Sequence, residues 1–289
     1  MTATVLAWAL AQLEDGYRVA LASVVGTSGS VPGKAGARLA MRSKDLEWMG
    51  TVGGAGLEMM VLKRSQALLD EHYLPAGEVV TFGLNKGAKG YEVTPLDSLC
   101  GGRVTLSMEV LVPMPHVLLI GGGHCAQAIA PALDALGWSH SVHDTRADFS
   151  STERFPNAKH HIHMDALSFV EHHNFSTLNR YSDVLLLGHD WAEDQARLLG
   201  ILATLQHQTT ALDGRAAPRI GVIGSRSKWQ AFEAAALGQG ITQHILDQVI
   251  CPIGVHIGAE SPEEIAVAVV AQIMSLHKGV HPSEPTWRE

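Results

Sequence analysis

Three kinds of group in this sequence are equipped for chemistry: an open thiol, glycine-rich turns that expose backbone amides, and charged side chains beside those turns. Cys100 begins Cys100-Gly101-Gly102 ahead of a strand-like run. Glycines beside it leave the sulfur sterically accessible to a soft metal or to sulfur transfer, whereas a core cysteine usually has bulky apolar neighbours. The apolar run His116-Val-Leu-Leu-Ile120 breaks into Gly121-Gly122-Gly123-His124-Cys125-Ala126 and continues as an amphipathic helix. That order opens a nucleotide-type βαβ unit, with Gly121 for the tight turn, Gly123 for close approach of backbone amides to a phosphate, and Ala126 where helix meets strand. Exposed N–H groups and the helix dipole favour an anion there. The same dipole is expected to lower the Cys125 thiol pKa, although core packing explains that cysteine equally well. Asp144 ends a second strand about twenty residues on, where such folds place a ribose-binding acid.

Other turns repeat the theme. Gly50-Thr-Val-Gly53-Gly54-Ala-Gly-Leu-Glu58 sets its glycines just before a helix, so its backbone suits wrapping a phosphate or a flat heterocycle, or else forms a tight hairpin with positive φ. Gly221-Val-Ile-Gly-Ser225-Arg226-Ser-Lys228 leaves a strand for a helix with two cations and two hydroxyls at the turn, which favours an anion. Among 16 histidines, His160, His161, His163, His172 and His173 lie in polar local sequence and read as solvent-facing. His124 and His189 follow strands at the edge where doubly wound folds bind ligands. Asp190 and Asp194, one helical turn apart, either orient His189 or cap a helix. With no CxxC pair and no HExxH helix, a structural zinc site is not expected.

The elements that must position these groups differ between the halves. Up to Val112 the pattern predicts helices at 3–15 and 57–72 and strands at 18–25, 37–41, 79–82 and 103–112, a mixed α/β arrangement without βαβ rhythm. Val112-Pro-Met-Pro115 interrupts any continuing strand and marks a boundary. Beyond it, strands near 116–120, 139–143, 160–163, 183–187, 209–212 and 219–223 alternate with helices near 124–136, 165–173, 191–205 and 227–237. Right-handed crossovers between them give a doubly wound parallel sheet. Pro131 predicts a kink in the first of those helices. Ser261-Pro-Glu-Glu264 reads as a capping box opening a last helix. The expected organisation is an N-terminal domain over 1–112, a Rossmann-like domain over 116–278 and a tail over 279–289.

Composition narrows the partners. With 21 Lys and Arg against 29 Asp and Glu, a net charge of -8 and no basic stripe, nucleic acid is not expected. The beginning of the chain has no positively charged leader region and the apolar runs are too short for a bilayer, so no membrane association is expected. Three widely spaced cysteines suit a reducing, cytoplasmic setting.

Taken together, Gly29-Ser-Val-Pro32, Gly36-Ala-Arg38, Gly50-Thr-Val-Gly-Gly54, Gly56-Leu-Glu58, Cys100-Gly-Gly102, Gly121-Gly-Gly-His124, Asp144-Thr-Arg146, Ile223-Gly-Ser-Arg226 and Pro252-Ile-Gly-Val-His-Ile-Gly-Ala259 resemble the motifs of the xanthine dehydrogenase accessory protein family, XdhC/CoxI, over nearly the whole length. The resemblance implies an accessory protein rather than a catalyst. It would bind molybdenum cofactor, as molybdopterin or its cytosine dinucleotide form, hold it while a cysteine desulfurase supplies sulfur, and deliver it to a molybdenum hydroxylase apoenzyme. Carried over position by position, Cys100 would be the molybdenum-proximal thiol. Gly53, Gly54, Glu58, Gly101, Gly121, Gly123, His124, Asp144, Arg146, His189, Ser225 and Arg226 would line the cofactor cradle. A homodimer is also implied, with the apolar last helix as its support. Gly33 stands where the family often has Arg, and Ala55 interrupts a glycine triplet, so anion contact in the N-terminal domain is expected to be weaker or rearranged. The rival from another class is an NAD(P)-dependent oxidoreductase with Asp144 on the ribose; a third is a scaffold that holds no cofactor.

Overall fold

The computed structural model describes residues 2–85, 93–95, 101–173, 175–207 and 217–281. They fall into two units, the first reaching Pro113 and the second beginning at Met114.

The first unit contains α1 (Thr2–Glu14), β1 (Val19–Ser28), β2 (Arg38–Arg42), β3 (Trp48–Thr51), α2 (Ala55–Glu71), β4 (Ala76–Gly83), β5 (Val93–Pro95) and β6 (Arg103–Leu111). Among the described residues its sheet runs β3-β2-β1-β6-β4-β5, antiparallel except for the short β4–β5 pair. Alternation decides the layers. Val104, Leu106, Met108 and Val110 of β6 are buried at every second position and pack with Leu57, Val61 and Leu68 of α2. Val19 and Ala40, on the opposite face, pack under Val5 and Ala9 of α1. Arg18 fastens α2 from outside, its Nη1 donating to the carbonyls of Leu69 at 2.5 Å and His72 at 2.6 Å, which answers the orphan acceptors of a helix C-terminus. β3 occupies part of the expected glycine loop: a Cβ on Gly50 would lie 2.3 Å from the Arg38 carbonyl oxygen, so only glycine permits that edge pairing.

The second unit contains β7 (His116–Ile120), α3 (His124–Ala135), β8 (Ser139–Asp144), β9 (His161–His163), α4 (Ala166–His172), α5 (Phe175–Leu178), β10 (Asp183–Leu186), α6 (Trp191–Gln206), β11 (Arg219–Val222), α7 (Arg226–Gly238), α8 (Gln243–Leu246), β12 (Val249–Ile250) and α9 (Pro262–Lys278). Among the described residues every pairing in its sheet is parallel, in the order β12-β11-β10-β7-β8-β9. This is the doubly wound Rossmann-like order, and the winding reverses between β7 and β10. β7 is buried along its whole length, as expected of a parallel strand covered on both faces. Leu118 and Ile120 face the core shared with α6 and α7; Val117 and Leu119 face α3 and α9.

The expected strand at 209–212 lies outside the described residues, as do residues 282–289 of the expected tail. β12, which the sequence did not suggest, pairs with β11 at the sheet edge. Pro131 lies within α3, which continues to Ala135. The capping box at Ser261 and Glu264 forms, and α9 ends on Gly279 at φ 66°. No described helix is long and apolar enough to cross a membrane.

Candidate functional site

In the first unit, glycines far apart in sequence stack backbone on backbone. A Cβ at Gly53 would lie 2.6 Å from Gly33 Cα and 2.8 Å from the Pro32 oxygen, and one at Gly33 would lie 2.2 Å from the Val52 oxygen. A Cβ at Gly102 would lie 2.5 Å from the Ser28 oxygen and 2.6 Å from that of Ser30. The segments 28–33, 50–54 and 101–102 therefore form one tight cluster, in which Gly53 and Gly54 hold φ of 91° and 74°. The departure at Gly33 has a steric reason, since a side chain there would strike the Val52 carbonyl. Gly101 and Gly36, in contrast, have open space where a Cβ would point. Cys100 itself lies outside the described residues.

A cleft of about 580 Å³ borders the cluster, lined by Gly33, Lys34, Arg38, Thr51 and Gly53 among others. Glu58 accepts a short hydrogen bond from the Thr51 hydroxyl, which accepts in turn from Gly53 N–H at 3.1 Å. Glu58 thus braces the turn. Gly54 caps α2 without a side-chain bond, which leaves first-turn N–H groups to a ligand or to solvent.

In the second unit, the turns after β7 and β10 touch. Gly121 has φ 99°, and a Cβ on it would lie 2.7 Å from Gly188 N. Gly122 is tighter still, its Cβ position only 1.8 Å from the Phe149 oxygen, whereas Gly123 faces open space. The close-packed glycine of this turn is therefore Gly122, and Gly123, with no side-chain cap at the start of α3, is the one that an anion can approach. Gly121, Asp144, Arg146 and His189 line a cavity of about 190 Å³ at the point where the strand order reverses. Ser225 and Arg226 are not among its lining residues: Ser225 caps α7 by accepting from Lys228 N–H at 3.3 Å, and Arg226 is exposed, as is His124 at the start of α3.

Asp144 is 3% exposed and accepts four hydrogen bonds of 2.9 Å, from Gly122 N–H, Arg146 N–H and the Arg146 Nε and Nη2 groups. Burial pushes its carboxyl upward, but the Arg146 guanidinium and the two backbone N–H groups outweigh it and hold the pKa below the ordinary carboxylate value. Four bonds fill the lone-pair sites of a carboxylate, so Asp144 ties the glycine turn to β8. A group with a depressed native pKa stabilises the fold above its unfolded pKa, and that contribution is lost as pH falls through the native one. Asp144→Asn should therefore cost about 1–3 kcal/mol at neutral pH. In denaturant titrations the gap to the unsubstituted chain should narrow below about pH 4; a gap independent of pH would contradict the assignment.

Beneath this cavity lies an ion pair that the sequence reading missed. Lys228 Nζ donates to Asp194 Oδ2 at 2.8 Å, with Lys228 4% and Asp194 0% exposed. Burial raises the Asp194 carboxyl, and the bond from Lys228 only partly offsets it. Arg197, also buried, donates to Glu193 at 2.9 Å and stands 3.8 Å from Asp194 Oδ1. Lys228 thus turns inward and is not available to an anion at the α7 turn. The signal was its spacing, since Lys228, Phe232 and Ala236 form the buried stripe of α7. Asp190 caps α6 by accepting from Glu193 N–H at 3.0 Å, so the two aspartates have separate tasks.

Two further expectations need correction. The Cys125 thiol is pushed up by burial and then by Glu263, not lowered by the helix dipole. His173 is buried and bonded through Nδ1 to the Phe169 oxygen at 2.9 Å, and His161, half-buried, reaches the Phe155 oxygen at 2.8 Å. His160, His163 and His172 are exposed, as read from their polar surroundings.

Residues 117–273, more than half of the sequence, match the model of the XdhC Rossmann domain, and residues 12–83 match that of the XdhC and CoxI family. The chain belongs to the XdhC and CoxI family. In this family member Gly33 and Gly53 fall within the N-terminal match, and the turn from Gly121, Asp144 and Lys228 fall within the Rossmann match; Gly101 and Gly102 lie in neither. The chain is 27% identical to "Uncharacterized protein YqeB" of Escherichia coli (strain K12) over 91% of its own length and 44% of that protein. It is 25% identical to a protein of Bacillus subtilis (strain 168), named as a probable xanthine dehydrogenase subunit, over 60% of its length and 46% of that protein. It thus spans less than half of either relative. A crystal structure described as a xanthine dehydrogenase from Bacillus halodurans covers 96% of this chain and 97% of its own at 18% identity, with a TM-score of 0.46.

Proposed function

We propose that this XdhC and CoxI family member is a maturation factor for a xanthine dehydrogenase-type molybdenum hydroxylase. It binds molybdenum cofactor, as molybdopterin or its cytosine dinucleotide form, holds it during sulfuration by a cysteine desulfurase and passes it to the apoenzyme, working as a cytoplasmic homodimer. Family membership supports the maturation role, and the name of the Bacillus subtilis relative supports the class of partner.

The observation that carries the reading is the glycine cluster of the first unit. Segments 28–33, 50–54 and 101–102 pack so closely that side chains at Gly33, Gly53 and Gly102 would collide with backbone, while Gly101, next to Cys100, opens on free space. Such a surface suits a flat pterin, and Lys34 and Arg38 beside the cleft suit its phosphate. Cys100, which precedes Gly101 in the sequence, would present a soft sulfur ligand. The bound cofactor would supply a soft molybdenum–dithiolene centre, the type of metal site that thiolates prefer. Glu58, through Thr51, keeps the glycine turn in the shape that the pterin meets.

A nicotinamide enzyme is the weaker reading. The four donors on Asp144 leave that carboxylate no lone pair for ribose hydroxyls. The cavity at the reversal point is about 190 Å³, below the roughly 300–1,000 Å³ typical of cofactor pockets. Titrating the purified chain with molybdopterin and with NAD(H), followed by cofactor absorbance and fluorescence, tests both. Molybdopterin should bind saturably, and Cys100→Ala should weaken it about tenfold. Tight NAD(H) binding with dehydrogenase turnover, or molybdopterin affinity indifferent to Cys100, would replace this reading.

A further inference from the structure

A second polar site lies at the other edge of the parallel sheet. Lys159, His160, His163, His172 and Arg180 border a groove of about 540 Å³ along β9 and the end of α4, with Ile162 and Met164 as its apolar part. No carboxylate is among the described residues that line it. In a chain with net charge -8, a local concentration of cations without acids is not a by-product of composition.

The surrounding imidazoles register this field. Burial lowers the His160 pKa first, and Arg180 and Lys159 lower it further. Behind it, burial followed by the same two cations brings His116 down to about 3. Among the described residues, then, the groove's cations act on these rings with no lining acid to offset them. An independent observation comes from Arg180. Its Nη2 bonds the Tyr181 hydroxyl, but its Nε is buried with no hydrogen-bond partner among the described residues. A guanidinium N–H left in that condition is costly, so Arg180, which lines the groove, is under-satisfied by the described residues.

Part of the donor set is already committed. His161 bonds the Phe155 oxygen, His163 the Thr145 oxygen and His173 the Phe169 oxygen. Lys159, Arg180, His160 and His172 remain to meet a guest. No three of the described His, Cys, Asp or Glu side chains converge as metal ligands. A guanidinium, an ammonium and two imidazoles around a polar groove suit a compact oxyanion that accepts from several directions.

We propose that this groove binds a phosphate-class dianion, the phosphoryl group of a small phosphomonoester or inorganic phosphate itself, with Arg180 and Lys159 as its principal contacts. The test titrates the whole chain with inorganic phosphate and, separately, with ribose 5-phosphate at constant ionic strength, followed by calorimetry and by the histidine ring-proton resonances. Saturable binding is expected, with the His160 and His172 resonances shifting. Tighter binding of the sugar phosphate identifies an organic phosphate as the occupant, and equal affinity identifies the free ion. Arg180→Gln should weaken binding about tenfold. Because Arg180 also holds Tyr181, the double variant Lys159→Gln and His172→Gln, at two exposed positions, provides a second reading that leaves packing intact and should weaken binding as well. Arg226→Gln, at the α7 turn, should leave it unchanged. Absence of saturable binding, or loss in Arg226→Gln with none in the groove variants, overturns the proposal.

Discussion

Lys228→Met is expected to lower the unfolding free energy by about 3–5 kcal/mol, the usual penalty for removing one partner of a buried ion pair. The methylene stem is replaced by a chain of similar size, so little packing is lost, and the cost falls on Asp194. That carboxylate is 0% exposed, and Lys228 Nζ at 2.8 Å is its close cation, since Arg197 stays 3.8 Å from the other oxygen. Burial already raises its pKa in the intact protein, and without Lys228 it rises further. The native variant then holds a proton that the unfolded chain releases near the ordinary carboxylate value, so its stability grows as pH falls between those two pKa values. Urea titrations of wild type and variant at neutral and mildly acidic pH should therefore show a gap that closes toward acid. Replacing both partners, Asp194→Leu with Lys228→Met, should recover most of the loss, because paired apolar groups bury without charge. A single-variant loss below about 1 kcal/mol would mean that water reaches Asp194.

What the sequence made legible was local. β7, the glycine turn, α3 and Asp144 follow one another within a few dozen residues, and each carries its own signal: an apolar run, residues tolerant of positive φ, a 3.6-residue period, and an acid at a strand end. The capping box of α9 is four consecutive residues, and it forms as written. What stayed hidden depends on distant partners. The antiparallel sheet places β6 beside β1, and only that pairing brings Gly102 onto the 28–31 loop. Lys228 looks like one more cation at a helix start until Asp194, 34 residues earlier, is found beneath it. His173 reads as polar surface because its neighbours in sequence are polar, yet Phe169, one turn back, both stacks on the ring at 4.2 Å and takes its N–H. Four of the six residues of β8, His140, Ser141, His143 and Asp144, are polar and buried, and no alternation rule marks such a strand; His116 across the ladder supplies a partner for Ser141 at 2.9 Å.

The same distance dependence separates two neighbouring glycines, and they give the sharpest contrast available. Gly122→Ala should destabilise the second unit by about 3 kcal/mol, near the upper end for overpacked interiors. Its Cβ would stand 1.8 Å from the Phe149 oxygen and 3.2 Å from the Phe155 ring. The nearer obstacle is backbone, which cannot swing aside as the end of a flexible side chain can. Moving Phe149 would also disturb Arg146, whose guanidinium lies 3.5 Å over its ring and supplies two of the four bonds on Asp144. Gly123→Ala meets nothing within 4 Å and should change stability by no more than about 1 kcal/mol, the scale of a helix-cap substitution. The helix that follows is common to both variants, so a difference in helix propensity does not account for the contrast. Denaturant titrations followed by tryptophan fluorescence measure both. Equal effects at the two positions would show that the 147–150 turn yields to Gly122, and the rigid link from glycine turn to Asp144 and Arg146 would then have to be abandoned.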